Sequence, residues 1–359
     1  MSDGRSGRDA GAWTSRRRPE LLEAFRSSVY GRAPVARPAA MRLDHEEVDS
    51  DVAATRRIDG SVVYAGPGGE GAIGVRIYLP TAQSTEALPV LLLGSNRDAQ
   101  STLPAPRPDD RALPTDFWPV DDITGAGFAT AAFSFSDVDP DEHDGFQNGV
   151  HGLFDEAKRG LDAWGTIAAW AWGFSRVADL LTTVRELDAR RIGVVGHSRG
   201  GKTALWAAAQ DERFALAMAN GSGSTGAAVA RGKQGERISD IVTRFPHWFC
   251  SRYAGFAGRE EELPVDQHQL LALIAPRLLY LGNAEDDAWA DPASERAALR
   301  AAAPAWELLG ASGAVEIPME TEAGTAFHGS SLGYHLRAGA HDLTREDWRH
   351  LLAFAQTRL

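Results

Sequence analysis

Residues 192–203 read Ile-Gly-Val-Val-Gly-His-Ser-Arg-Gly-Gly-Lys-Thr, and the serine in that stretch is placed for nucleophilic chemistry. Ile192 to Val195 is an apolar run suited to a buried parallel strand. Gly196-His197-Ser198-Arg199-Gly200 then fits Gly-x-Ser-x-Gly, and Lys202 to Gln210 are good helix formers. Strand, tight turn and helix form the context of a nucleophile elbow. The flanking glycines matter because strand and helix cross there too closely for a Cβ. The helix N-terminus offers free N–H groups and a positive dipole end to a developing oxyanion. A serine nucleophile also needs a base to take its proton and an acid to orient that base. In an α/β-hydrolase the chain order is Ser, then Asp or Glu, then His.

Three histidines compete for the base. His341, in Arg337-Ala-Gly-Ala-His-Asp342 directly before the C-terminal helix, is preferred to His328 and to His335, which sits in an extended run. For the acid, Glu285, Asp286, Asp287 and Asp291 crowd the turn after the apolar run Leu278 to Leu281. Asp287 is preferred, with its neighbours as alternatives. Lys202 follows Ser198 by about one helical turn and can share its face. Gly94-Ser95-Asn96, closing the strand Leu88 to Leu93, is either a donor of a second oxyanion N–H or a simple turn.

The elements that must position these groups alternate. Strands are expected at Val62 to Tyr64, Gly74 to Leu79, Leu88 to Leu93, Phe128 to Phe135, Phe214 to Asn220, Leu278 to Leu281 and Val315 to Met319. Helices are expected at Pro19 to Tyr30, across Trp164 to Leu187, after the elbow, from about Ala293, and over Thr344 to Leu359, where Thr344 and Asp347 form a capping-box variant. Trp164, Trp170 and Trp172 recur at core spacing. This alternation predicts the α/β-hydrolase fold, a three-layer αβα sandwich with a mostly parallel central sheet. Residues 1–18 read as a flexible tail and 19–359 as one catalytic domain.

Composition narrows the function classes. The chain has 359 residues, a net charge of -12 and no basic cluster, which argues against a nucleic-acid partner. No run of 18 apolar residues exists to span a membrane. The single cysteine, Cys250, excludes an internal disulfide. The N-terminal residues lack an apolar signal-peptide core, so the chain as given reads as cytoplasmic, or as secreted or periplasmic where a leader has been removed. The acidic run Asp137 to Asp144 fits no EF-hand and reads as a solvated loop. No metal or cofactor is called for, and a monomer is expected.

Taken together, the motifs resemble the glucuronoyl esterases, carbohydrate esterase family 15, and their bacterial members in particular. The similarity lies in Trp164-Gly…Ala169-Trp-Ala-Trp-Gly173, Gly196-His-Ser-Arg…Gly-Lys-Thr-Ala-Leu-Trp206, Phe245-Pro-His-Trp-Phe-Cys250, Leu263-Pro-Val-Asp-Gln-His268, Leu273-Ile-Ala-Pro-Arg277 and Trp289-Ala-Asp-Pro292, and runs from about residue 19 to the end. The resemblance implies cleavage of esters between 4-O-methyl-glucuronic acid on xylan and lignin alcohols. It implies Ser198 as nucleophile, His341 as base, and Arg199 as oxyanion partner through its N–H and guanidinium. It also implies Lys202 on sugar hydroxyls, with Glu236 and Trp289 lining the sugar pocket. One departure stands out. Many members carry the triad glutamate near the position of Gly221, within Asn220-Gly-Ser-Gly, so the acid is expected from the later turn at Asp287. A small or oligosaccharide uronate ester is the expected partner.

Two other readings remain open at this point. One is an acetyl or general carboxylesterase, against which Lys202 and Glu236 argue. The other is a non-catalytic binding protein on the same scaffold, which labelling by a fluorophosphonate would separate from an esterase.

Overall fold

Among the described residues ten strands form one sheet, and the candidate residues lie in the segments that follow the C-terminal ends of its parallel strands. The computed structural model describes residues 9–82, 86–97, 116–311, 317–318 and 320–359. The strands are β1 (Ala40–Val48), β2 (Thr55–Gly66), β3 (Gly69–Pro80), β4 (Leu88–Ser95), β5 (Ala129–Ser134), β6 (Leu187–His197), β7 (Phe214–Asn220), β8 (Leu278–Ala284), β9 (Thr325–His328) and β10 (Leu332–Arg337). Their spatial order is β1-β2-β3-β5-β4-β6-β7-β8-β10-β9. From β5 through β10 neighbours run parallel; β1, β2, β3 and β9 pair antiparallel at the flanks.

Side-chain alternation along β4 divides the interior. Val90 and Leu92 face a larger core with the helices Thr166–Leu181 and Arg199–Gln210, whereas Leu91 and Leu93 face a second core with Trp118, Trp348 and Phe354. Helices therefore cover both faces, which is the three-layer α/β-hydrolase arrangement. The crowded tryptophans are core: Trp164 is fully buried and Trp170 stacks on Phe135 at 4.8 Å. Trp206, on the elbow helix, stacks on Tyr30 at 4.4 Å. No helix among the described residues is long and apolar enough to cross a membrane.

The structure departs from expectation in two places, and a third expected element lies mostly outside the described residues. The N-terminal tail is helical from Ala10, in consecutive segments that run to Tyr30. The Asp9 carboxylate caps it by accepting from the Gly11 N–H at 2.9 Å, Trp13 is buried, and the Arg18 guanidinium donates to the Ala209 carbonyl at 3.0 Å. Residues 1–8 lie outside those described. β1 was not expected because its run of Arg42, Asp44, His45, Glu46 and Glu47 hides the alternation of a largely exposed edge strand. The strand expected at Val315 to Met319 falls mostly outside the described residues, and Ile317 and Pro318 are not in a strand.

Candidate active site

Ser198 sits between β6 and the helix Arg199–Gln210 with φ 56° and ψ -122°, a left-handed conformation costly for a residue with a Cβ. The turn is over-determined by its neighbours: a Cβ on Gly196 would overlap the Gly200 carbonyl, and the Ser198 N–H donates to the Asn220 carbonyl at 2.9 Å. The Arg199 N–H opens the helix and so has no intrahelical acceptor.

The turn after β8 supplies the carboxylate. Asp287 Oδ2 meets His341 Nδ1 at 2.5 Å, leaving Nε2 as the ring nitrogen available to the serine. Asp287 Oδ1 accepts from the Ala290 N–H at 3.2 Å. Burial opposes ionisation of Asp287, but the hydrogen bond and charge of His341 outweigh it and hold the carboxyl below its usual range. The alternative acids are accounted for. Glu285 and Asp286 are exposed. Asp291 caps the helix Pro292–Ala302, accepting from the Ser294 N–H at 3.1 Å and the Gln234 N–H at 2.7 Å. The alternative bases face inward: His335 Nε2 bonds Asp347 at 2.8 Å, and His328 Nε2 is 3.3 Å from the Tyr280 hydroxyl.

Beside Ser198, the Arg199 guanidinium pairs with Asp141 and lies 4.9 Å above the Trp248 ring. Asp141 also accepts from Trp248 Nε1 at 2.7 Å and His247 Nε2 at 3.0 Å. Burial would raise its carboxyl, but these hydrogen bonds and the Arg199 charge hold it low. The acidic run is thus not a simple solvated loop. Asp139 is buried against Thr166, which donates at 2.7 Å, and burial pushes its carboxyl up to about 7. Among the described residues no His, Cys, Asp and Glu cluster is placed to hold a metal.

On the opposite wall, Lys202 is buried one turn into the elbow helix. Its ammonium donates to the Ser222 and Ser224 carbonyls, both at 2.6 Å, and lies 3.8 Å from Glu236 Oε2. Burial pulls the lysine down to about 8, against the opposing charges of Glu236 and Glu295. Glu236 Oε1 accepts from Trp289 Nε1 at 3.2 Å, and Trp289 is 48% exposed and lines the pocket, so its indole is accessible to a ligand. Ser198, Arg199, Lys202, Glu236, Asp287, Trp289 and His341 all line one pocket of about 250 Å³. Residues 94–96 do not line it: Gly94 and Ser95 are the end of β4, paired with Phe133 and Ser134 of β5, and a Cβ on Gly94 would meet the Phe135 and Phe174 rings, so the segment is strand end rather than the expected turn or a lining of this pocket.

This geometry can activate a hydroxyl, stabilise an oxyanion and hold a polar ring. The sequence model of fungal glucuronyl esterases matches residues 117–310. Carbohydrate esterase MZ0003, from an unknown prokaryotic organism, is 33% identical over 99% of this chain and 87% of its own length. The solved glucuronoyl esterase of Solibacter usitatus is 35% identical, with a TM-score of 0.89 over 98% of this chain and 94% of that one. The 4-O-methyl-glucuronoyl methylesterase 1 of Sodiomyces alcalophilus is 35% identical over 52% of this chain and 39% of its own length. The chain belongs to the glucuronoyl esterase family.

As a member of that family it is a carboxylic ester hydrolase. Its treatment of position 221 is informative. Gly221 has φ +51°, and a Cβ built there would sit 3.2 Å from the His341 ring and 3.3 Å from Asp287 Oδ2. The place is next to the imidazole, yet the carboxylate that reaches His341 comes from the neighbouring strand. Sequence reasoning missed Asp141 and Arg244, of which the latter lines the mouth with its guanidinium 5.8 Å from the Trp289 ring. Asp141 is 107 residues from its partner Trp248, so no local pattern marks it; only the Phe245-Pro-His-Trp motif pointed to that wall.

Proposed function

We propose that this glucuronoyl esterase hydrolyses esters of glucuronic or 4-O-methyl-glucuronic acid through an acyl-enzyme. His341 Nε2 takes the Ser198 proton as Oγ attacks the ester carbonyl. Asp287 holds the Nδ1–H tautomer and stabilises the imidazolium. The tetrahedral oxyanion is met by the Arg199 N–H and guanidinium. Collapse expels the alcohol, which receives the proton from His341. Water, activated by the same imidazole, then attacks the acyl-enzyme, and Ser198 is regenerated as the free uronic acid leaves. Lys202 and Glu236 bind ring hydroxyls, and the accessible indole of Trp289 supports the ring.

The observation that carries this reading is the wall of Lys202, Glu236 and Trp289 in the same pocket as Ser198, His341 and Asp287. A pocket for acetyl groups has no use for such a wall, because an acetyl methyl offers no hydroxyls for the ammonium, the carboxylate or the indole to meet. The test compares methyl or benzyl glucuronate with p-nitrophenyl acetate as substrates. Glucuronate esters are expected to show the higher kcat/KM, and Ser198→Ala is expected to abolish turnover of both, as loss of a triad nucleophile costs many orders of magnitude. Preference for the acetate would turn the assignment to a general carboxylesterase. Turnover by pure Ser198→Ala would remove serine catalysis.

A further inference from the structure

The loop that carries His341 has few apolar anchors of its own: it runs Ala338-Gly-Ala-His-Asp342 and His341 is exposed. Its carbonyls are nevertheless held. The guanidinium of Arg337, the last residue of β10, donates through Nη1 to the Ala338 carbonyl at 2.9 Å. Through Nη2 it donates to Ala340 at 3.0 Å and to Asp342 at 2.6 Å, on either side of the histidine. The remaining edge, Nε, donates to Asp347 Oδ2 at 2.8 Å. Arg337 is 4% exposed and Asp347 is fully buried, so the pair works where hydrogen bonds are hard to replace with water.

Asp347 is also the meeting point of the elements that carry the nucleophile. Its Oδ1 accepts from Asn220 Nδ2 at 2.8 Å and bonds His335 Nε2 at 2.8 Å. Asn220 Oδ1 in turn meets Nδ1 of His197, the residue before Ser198, at 2.6 Å. Oδ2 further accepts from the Thr344 N–H at 2.7 Å, capping the C-terminal helix. Although burial opposes its charge, His335 and Arg337 hold the Asp347 carboxyl down to about 2. It is therefore ionised at neutral pH. One carboxylate thus ties together the end of β6, the end of β7, β10 and the start of the last helix.

We infer that Arg337 and Asp347 form a buried clamp that positions His341 against Asp287 and Ser198. They are positioning residues: neither lines the pocket. The inference rests on His341 being the base of the proposed esterase. Arginine is needed because a planar fork can reach three carbonyls and a carboxylate at once, which an ammonium cannot.

The test uses Arg337→Lys, which keeps the charge opposite Asp347 but loses the fork, and Arg337→Met, which removes both. With folding verified by circular dichroism, both variants are expected to lower kcat by about 30- to 100-fold, the scale of misplacing a reacting group by about an ångström. The loss should be equal for benzyl glucuronate and p-nitrophenyl acetate, with KM within about twofold, because the sugar wall is untouched. The downfield proton resonance expected in the wild type from the His341 Nδ1–H···Asp287 bond should broaden or vanish. That signal is read without turnover, so failure of the clamp and failure of the esterase reading are distinguished. If Arg337→Met does not fold, Arg337→Lys carries the test. A folded Arg337→Lys with kcat within threefold of wild type, or with an intact imidazole signal, overturns the clamp.

Discussion

The turns after β7 and after β8 both reach His341, and they do so differently. The β8 turn offers a side chain, Asp287 Oδ2 at 2.5 Å from the imidazole. The β7 turn offers backbone: Gly221 leaves room beside the ring, and the Ser222 and Ser224 carbonyls hold Lys202. Beneath it lies Glu295, fully buried, which accepts from Ser222 Oγ at 3.1 Å and from the Gly223 N–H. Burial pushes its carboxyl up to about 7. On the proposed mechanism, one turn serves the acid–base pair and the other the wall that would hold the sugar. With the carboxylate on β8, the β7 turn is left to shape the pocket.

This division predicts separable effects. Lys202→Ala should have a large one: about a hundredfold in kcat/KM for glucuronate esters, since truncating one partner of a buried charge pair costs roughly 2–5 kcal/mol. On p-nitrophenyl acetate the loss should stay within about tenfold, reflecting only relaxation of the Ser222 and Ser224 carbonyls. Equal losses on both substrates would make Lys202 purely structural.

A smaller effect concerns pH. The lysine is protonated below its depressed pKa of about 8 and neutral above it. Activity that depends on the ammonium is therefore present below pH 8 and lost as pH rises through it. kcat/KM for glucuronate esters should fall about tenfold from pH 7 to pH 9, whereas acetate turnover should lack that limb. A flat profile for both would show that the ammonium is not read by the sugar.

The smallest effect tests the comparison itself. Gly221→Glu in an Asp287→Ala background should restore severalfold activity over Asp287→Ala alone, because position 221 adjoins the His341 ring, although a Cβ there, 3.2 Å away, would make the ring yield slightly. The gain is limited by the left-handed backbone at φ +51°, which costs a residue with a Cβ about 1 kcal/mol or more. No gain at all in a folded double variant would mean that the β7 turn cannot serve the imidazole in this chain.

How far these features were legible follows from how local they are. Ser198 was readable because strand, glycines and helix lie within a dozen residues. His341 was readable from its place before a capped helix, and Asp287 from chain order and the missing side chain at 221. The parallel strands were marked by apolar runs such as Leu91 to Leu93. Asp141 was not readable: its partners Arg199, His247 and Trp248 are remote in sequence, and in isolation its surroundings look like any acidic loop. Arg337 and Asp347 were hidden for the same reason, Asp347 being noted only as a helix cap. The helical start at residues 10–18 was masked by polar composition, because buried Trp13 and the contacts of Arg18 with the Ala209 carbonyl and with Glu212 hold it rather than an apolar stripe.

The central claim is that Asp287 orients the base in this member of the family. Its most direct test is kcat for benzyl glucuronate in Asp287→Asn, an isosteric change that removes the charge and reverses the tautomer preference of His341. kcat should drop by about a thousandfold or more with KM little changed, by analogy with tautomer loss in other triads. Asp286→Asn and Asp291→Asn should leave kcat within about tenfold. An Asp287→Asn enzyme that retained more than a tenth of wild-type kcat would contradict that claim.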